Sequence, residues 1–169
     1  KGLNRNTFET ALIKNMRRRL NGLGEFDIRT AQSTVYVTPK EGADLDAAVE
    51  KISKIFGIAT LSRACVVKKD MPEILKAAEE YLKIDLLSAK SFKVESKRSD
   101  KSFPLKSPQI SAQLGEYLLD KFPNLHVDVH NPDIIVRVEI RDFGAYVHGQ
   151  PIRGAGGIPV GTGGKAAIL

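Results

Sequence analysis

Apolar residues recur along this chain in two rhythms, and the alternation between them predicts its elements. Phe8, Leu12, Ile13, Met16 and Leu20 follow helical spacing, with Asn6 and Glu9 as a capping pair and Asn21-Gly22 as a stop. Phe26, Ile28 and Thr30 alternate with polar positions, as do Val35 and Val37, so two half-buried strands are expected there. Leu45, Ala48, Val49, Ile52, Ile55 and Phe56 predict a second helix stopped at Gly57. Ile58 to Val67 then reads as one strand with Arg63 inside it. Asp70 should cap a third helix with Glu73 at N3 and Pro72 in the first turn. Its stripe is Ile74, Leu75, Ala78, Tyr81 and Leu82.

The second half begins with a strand at Phe92 and Val94, followed by a basic loop from Lys97 to Lys106. Ser107 as N-cap and Pro108 at N1 start a helix striped by Ile110, Leu114, Tyr117 and Leu118 and stopped by Pro123. Leu125, Val127 and Val129 alternate, Asn131-Pro132-Asp133 turns, and Ile134, Val136, Val138 and Ile140 alternate against Arg137, Glu139 and Arg141. Asp142-Phe143-Gly144 leads into Ala145-Tyr146-Val147. The first half matches a ferredoxin-like order, β-α-β-β-α-β, if one strand precedes Lys1. The expectation is therefore an α/β (α+β) chain. A ferredoxin-like unit lacking its first strand occupies residues 1–69, and a second α/β unit occupies 70–149. Residues 150–169 form a Gly-rich linker whose apolar end, Ala166 to Leu169, opens a further domain.

Composition sharpens this. The chain has 169 residues and a formal charge of +6, and no apolar run is long enough to span a membrane. The single Cys65 excludes an internal disulfide framework and a multi-cysteine zinc site. With no apolar leader after Lys1, the expected address is the cytoplasm. The charge is concentrated: residues 1–30 and 86–110 each carry +4, and the segments between and after them are slightly acidic. Two basic clusters point to a polyanionic partner.

Catalytic chemistry is hard to place. Pro159 and Ala166 break the phosphate-loop pattern around Lys165. His126 and His130, four apart in a strand, would stand about 13 Å apart, too far to share a metal. Cys65 reads as a small core residue. The basic loop ahead of the Ser107-Pro108 helix is the best candidate site. Lys97, Arg98, Lys101 and Lys106 crowd ten residues, and a helix N-terminus with free N–H groups favours anions. Phe103 either stacks on an unpaired base or packs onto the helix as a staple. Arg17 and Arg18, in the last turn of the first helix, and Arg137 complete the candidate RNA contacts.

The residues also resemble a known family. Phe92-Lys93-Val94-Glu95-Ser96-Lys97-Arg98-Ser99-Asp100-Lys101, with Phe103-Pro104, Ser107 and Leu114-Gly115, resembles a THUMP core, and Val127 to Asp133 leading into Val136 to Ile140 resembles its second half. Asn4-Arg5 with Phe8-Glu9, and Gly156 to Lys165, resemble the opening and the linker of bacterial tRNA 4-thiouridine synthetases. The resemblance implies the tRNA-binding portion of a tRNA sulfurtransferase, holding the acceptor 3′ end and carrying no catalytic residues itself. The full enzyme would adenylate a uridine with ATP and magnesium, then transfer persulfide sulfur from a cysteine desulfurase, and it would be a homodimer. Ile168 and Leu169 would line its nucleotide pocket. Some members also supply sulfur for thiamine synthesis. Two alternatives stay open on sequence: the RNA-binding module of a THUMP-bearing methyltransferase or deaminase, and a ferredoxin-like regulatory module without RNA.

Overall fold

The structure, a computed structural model, describes residues 5–162. They form two compact units. One runs through Leu61 and includes the segment from Ile152 onward, and the other is Ser62–Pro151.

The first unit contains helix α1 (Arg5–Leu20), strands β1 (Phe26–Ala31) and β2 (Thr34–Pro39), helix α2 (Leu45–Ser53) and strand β3 (Thr60–Leu61). Met16 and Leu20 of α1 and Ala48 and Ile52 of α2 form its core with Ile55 and Ile58, against the apolar face of the hairpin at Phe26, Ile28, Val35 and Val37. Asp44 caps α2 by accepting the Ala47 N–H at 3.0 Å. The β1–β2 turn is Gln32-Ser33, both with positive φ, 49° and 69°. This is the turn geometry that matches strand twist but favours Asn-Gly, so the sequence gives no signal for it.

Three expectations for this unit are corrected. Asn6 and Glu9 lie inside α1, where Glu9 faces Arg5 one turn back at 3.9 Å instead of sitting in the first turn. Helix α2 ends at Ser53, short of Phe56. Gly57 is required because its φ is +101° and an added Cβ would lie 2.7 Å from Pro159. The run Ile58–Val67 is two strands. Thr60–Leu61 pairs antiparallel with strand β9 (Ile152–Arg153), whereas Cys65–Val67 joins the second unit. Ser62, Arg63 and Ala64 are outside both, so the division falls at Leu61/Ser62 instead of after residue 69. Residues 152–162 fold back onto the first unit. Gly154 and Gly156 donate to the carbonyls of Ala59 and Ile58, and Asn15 donates to that of Val160. The hairpin and β3 lie in separate two-stranded sheets.

The second unit follows with strand β4 (Cys65–Val67), helices α3 (Met71–Tyr81) and α4 (Lys83–Ser88), strand β5 (Ser91–Arg98), helix α5 (Ser107–Lys121) and strands β6 (His126–Val127), β7 (Ile134–Arg141) and β8 (Gly144–His148). Its five-stranded sheet has the order β4-β8-β7-β5-β6, with β5 parallel to both β6 and β7 and the other pairs antiparallel. In β7 the alternation holds as expected: Ile134, Val136, Val138 and Ile140 are buried against α3 and α5 residues such as Ile74, Ala78, Leu114 and Leu118. Asp133 clamps the start of β5 by accepting the N–H groups of Lys90 and Ser91 while its own N–H donates to the Ser91 hydroxyl. The short helix α4 has no counterpart in the sequence reading. Asp70 is the N-cap of α3 with extended backbone, but its carboxylate makes no cap bond. Of the expected strand at Leu125–Val129 only His126–Val127 is one. His130 lies in the turn that follows, its N–H bonded to the Asp128 carboxylate.

Candidate nucleic-acid interface

The basic loop lies between the end of β5 and the start of α5, and its backbone is fastened along its whole length. Ser99 donates through N–H and hydroxyl to the Ile140 carbonyl of β7, at 3.0 and 3.1 Å. Asp100 is only 8% exposed. One carboxylate oxygen accepts the N–H and hydroxyl of Ser102, at 2.9 and 2.6 Å, an Asx turn. The other accepts the Lys69 ammonium, which also donates to the Asp142 carbonyl at 3.0 Å. The Lys69 hydrogen bond, then those from Ser102, hold the Asp100 carboxyl down at about 2. The Lys106 N–H donates to the Gln109 side chain at 2.8 Å. Beside the loop, Lys68, Lys69, Asp142, Phe143 and Gly144 line an open cleft of about 600 Å³.

The expected site residues separate on this frame. Lys101 and Lys106 are exposed on the loop. Phe103 is 5% exposed and part of the core with Ile110 and Leu114, so the stacking role is corrected: the ring seals the apolar interior. Arg98 turns inward, its Nη1 donating to the carbonyls of Phe103 and Leu105 at 2.8 and 3.2 Å, because strand alternation puts it on the α5 side of the sheet. Lys97, one residue earlier, is exposed on the opposite face, in register with Glu139. Arg137 shares that face, paired with Glu95 at 3.4 Å and donating to the Gly149 carbonyl. Ser107 is the first residue of α5, and Lys106 takes the N-cap position assigned to the serine. Arg17 and Arg18 are exposed in the last turn of α1. Ile168 and Leu169, with Gly163 to Lys165, lie outside the described residues.

Sequence reasoning missed Lys69 and the role of Asp100. Asp-x-Ser at 100–102 is a local turn signal, but nothing local connects Lys69 to a carboxylate 31 residues away. Elsewhere in the unit, Glu139 is paired with Arg141 at 2.7 Å and lies 3.5 Å from His148. The His148 hydrogen bond and the Arg141 guanidinium hold its carboxyl at about 2 despite burial. Cys65 is half-buried against the core, its thiol pushed up by burial and by Glu80. Among the described residues no three potential metal ligands converge, and no helix is long and apolar enough to cross a membrane.

Comparison with known proteins agrees with this architecture. Residues 1–62 match the ThiI ferredoxin-like domain model and residues 68–148 the THUMP domain model. A protein of Lachnoclostridium phytofermentans named "Probable tRNA sulfurtransferase" is 42% identical over the whole chain, as is one of Acetivibrio thermocellus. The chain spans 44% of the length of each. A crystal structure described as a 4-thiouridine synthetase–RNA complex with bound ATP matches with a TM-score of 0.81 and 34% identity, covering 98% of this chain and 42% of that one. By these matches the chain is similar to a ThiI ferredoxin-like domain followed by a THUMP domain and, over its whole length, to part of the tRNA sulfurtransferases.

Proposed function

We propose that this chain is the tRNA-binding portion of an enzyme that makes 4-thiouridine in tRNA. The observation that carries the reading is the match, over 98% of the chain, to the RNA complex of a 4-thiouridine synthetase. The basic loop supports it on physical grounds. Exposed Lys106 stands at the N-cap of α5, where the helix dipole favours phosphate, and exposed Lys101 lies on the loop that leads to it. Arg17 and Arg18 offer a second exposed cationic surface. Such contacts supply affinity through phosphates and position the RNA, and an unpaired 3′ end is the accessible part of a tRNA acceptor stem.

In this reading the whole enzyme binds ATP with magnesium, activates the uridine by adenylation, and receives persulfide sulfur from a cysteine desulfurase, as a cytoplasmic homodimer. This chain grips the acceptor 3′ end while that chemistry proceeds on other parts of the protein. The test is filter binding of the purified chain to a tRNA with its unpaired 3′ nucleotides and to the same tRNA trimmed of them. Weaker binding of the trimmed tRNA is expected. Equal affinity for both, or no binding, overturns the reading.

A further inference from the structure

We propose that Lys69, Asp100 and Arg98 are positioning residues, an internal frame that holds the loop from Ser99 to Lys106 in one shape so that Lys101 and Lys106 meet the RNA phosphates already ordered. The inference rests on the RNA-binding reading above.

Three features carry it. The loop is fastened from both flanks: Asp100 gathers Ser102 and Lys69, Lys69 continues to the Asp142 carbonyl after β7, and Arg98 reaches from β5 to the carbonyls of Phe103 and Leu105. The fastening uses charged groups that are largely withdrawn from water, since the Lys69 and Asp100 side chains are 30% and 10% exposed. A withdrawn ion pair is a poor source of stability compared with apolar packing, and this unit already has a large apolar core. What a frame of directional bonds does supply is order. Ordering a loop and its long side chains on binding is a cost that preorganisation removes. The cations left exposed are Lys101 and Lys106, on the segment the frame encloses.

The charge changes make the test decisive. Asp100→Asn raises the net charge by one and Lys69→Met lowers it by one, so simple attraction to a polyanion predicts opposite effects. The frame predicts the same effect for both. Binding of tRNA by the full chain is measured across a range of salt concentrations for these variants, for the double variant and for Lys101→Ala. Each frame variant is expected to weaken binding roughly 3- to 10-fold at every salt concentration with an unchanged salt slope. The double variant should be no weaker than the worse single one, and Ser102 amide hydrogen exchange should quicken in all three. Lys101→Ala should flatten the slope by about one. Tighter binding by Asp100→Asn, unchanged binding by both single variants, or a slope that falls as in Lys101→Ala would overturn the frame. Should Asp100→Asn fail to fold, Lys69→Met and Arg98→Lys decide by the same criteria. A wild-type chain that binds no tRNA overturns the RNA reading itself, whereas frame variants that bind as well as a binding-competent wild type overturn the frame alone.

Discussion

Phe103 gives the sharpest separation between two roles that its position in the loop suggests. With 5% exposure it packs with Ile110, Leu114 and Ile140 in the second unit's core. A phenylalanine ring buries on the order of 200 Å², which at about 25 cal/mol per Å² gives an upper value near 5 kcal/mol. Large-to-small core substitutions of this kind cost about 3–5 kcal/mol. Phe103→Ala should therefore lower the unfolding free energy of the second unit by that amount. Phe103→Leu, which keeps most of the apolar volume, should cost less than about 1.5 kcal/mol and leave tRNA affinity unchanged. Were the ring instead a base-stacking platform, its loss would remove about 1–3 kcal/mol of binding with no loss of stability. Urea denaturation and filter binding on the same two variants separate the cases. A Phe103→Leu chain with wild-type stability and tenfold weaker tRNA binding would refute the packing argument.

Other consequences follow from single geometries. Glu139 is held at about 2 in the folded state against an ordinary value of 4.5. Between those values the unfolded chain binds more protons, so stability is full above about pH 4.5 and falls as pH drops toward 2, by at most about 3 kcal/mol. Glu139→Gln should be less stable at pH 7 and show a shallower acid limb in urea melts at pH 2–5, and an acid limb of unchanged steepness would contradict this. Gly154 lies so close to Ile58 that an added Cβ would sit 2.3 Å from its carbonyl oxygen. Gly154→Ala should cost more than about 1 kcal/mol, read as a lower thermal midpoint for the first unit. Ser33 is exposed with φ +69°, and Ser33→Gly should raise that unit's stability by up to about 1 kcal/mol. A fall in midpoint would show that the turn's strain is offset elsewhere.

Most of the second unit was legible because its signals are local and repeated. The alternation of Ile134, Val136, Val138 and Ile140 fixes a strand and the face it buries, and Pro108 starts α5 to within a residue. The errors fall where one sequence pattern serves two partners. Ile58 to Val67 reads as one strand around Arg63, yet Leu61 pairs with Ile152 and Cys65 with Val147, and no glycine or proline in the run marks the break. The glycine-rich segment read as a linker because glycine marks both freedom and close approach, and here Gly154 serves close approach while Gly156 takes a left-handed backbone with φ +67°. At the site, charge density was readable but direction was not. Adjacent residues on a strand point to opposite faces, so Lys97 and Arg98 cannot line one ledge, and Arg98 serves the loop's backbone instead of a ligand.

The central claim, that Lys101 and Lys106 hold tRNA through its phosphates, is tested most directly by the salt dependence of tRNA binding. Each phosphate contact contributes about 0.7–0.9 to the slope of log affinity against log salt. The Lys101→Ala/Lys106→Ala double variant should therefore bind more weakly, with a slope shallower by roughly 1.4–1.8 than that of the wild type. A double variant with the wild-type slope and affinity would contradict the account.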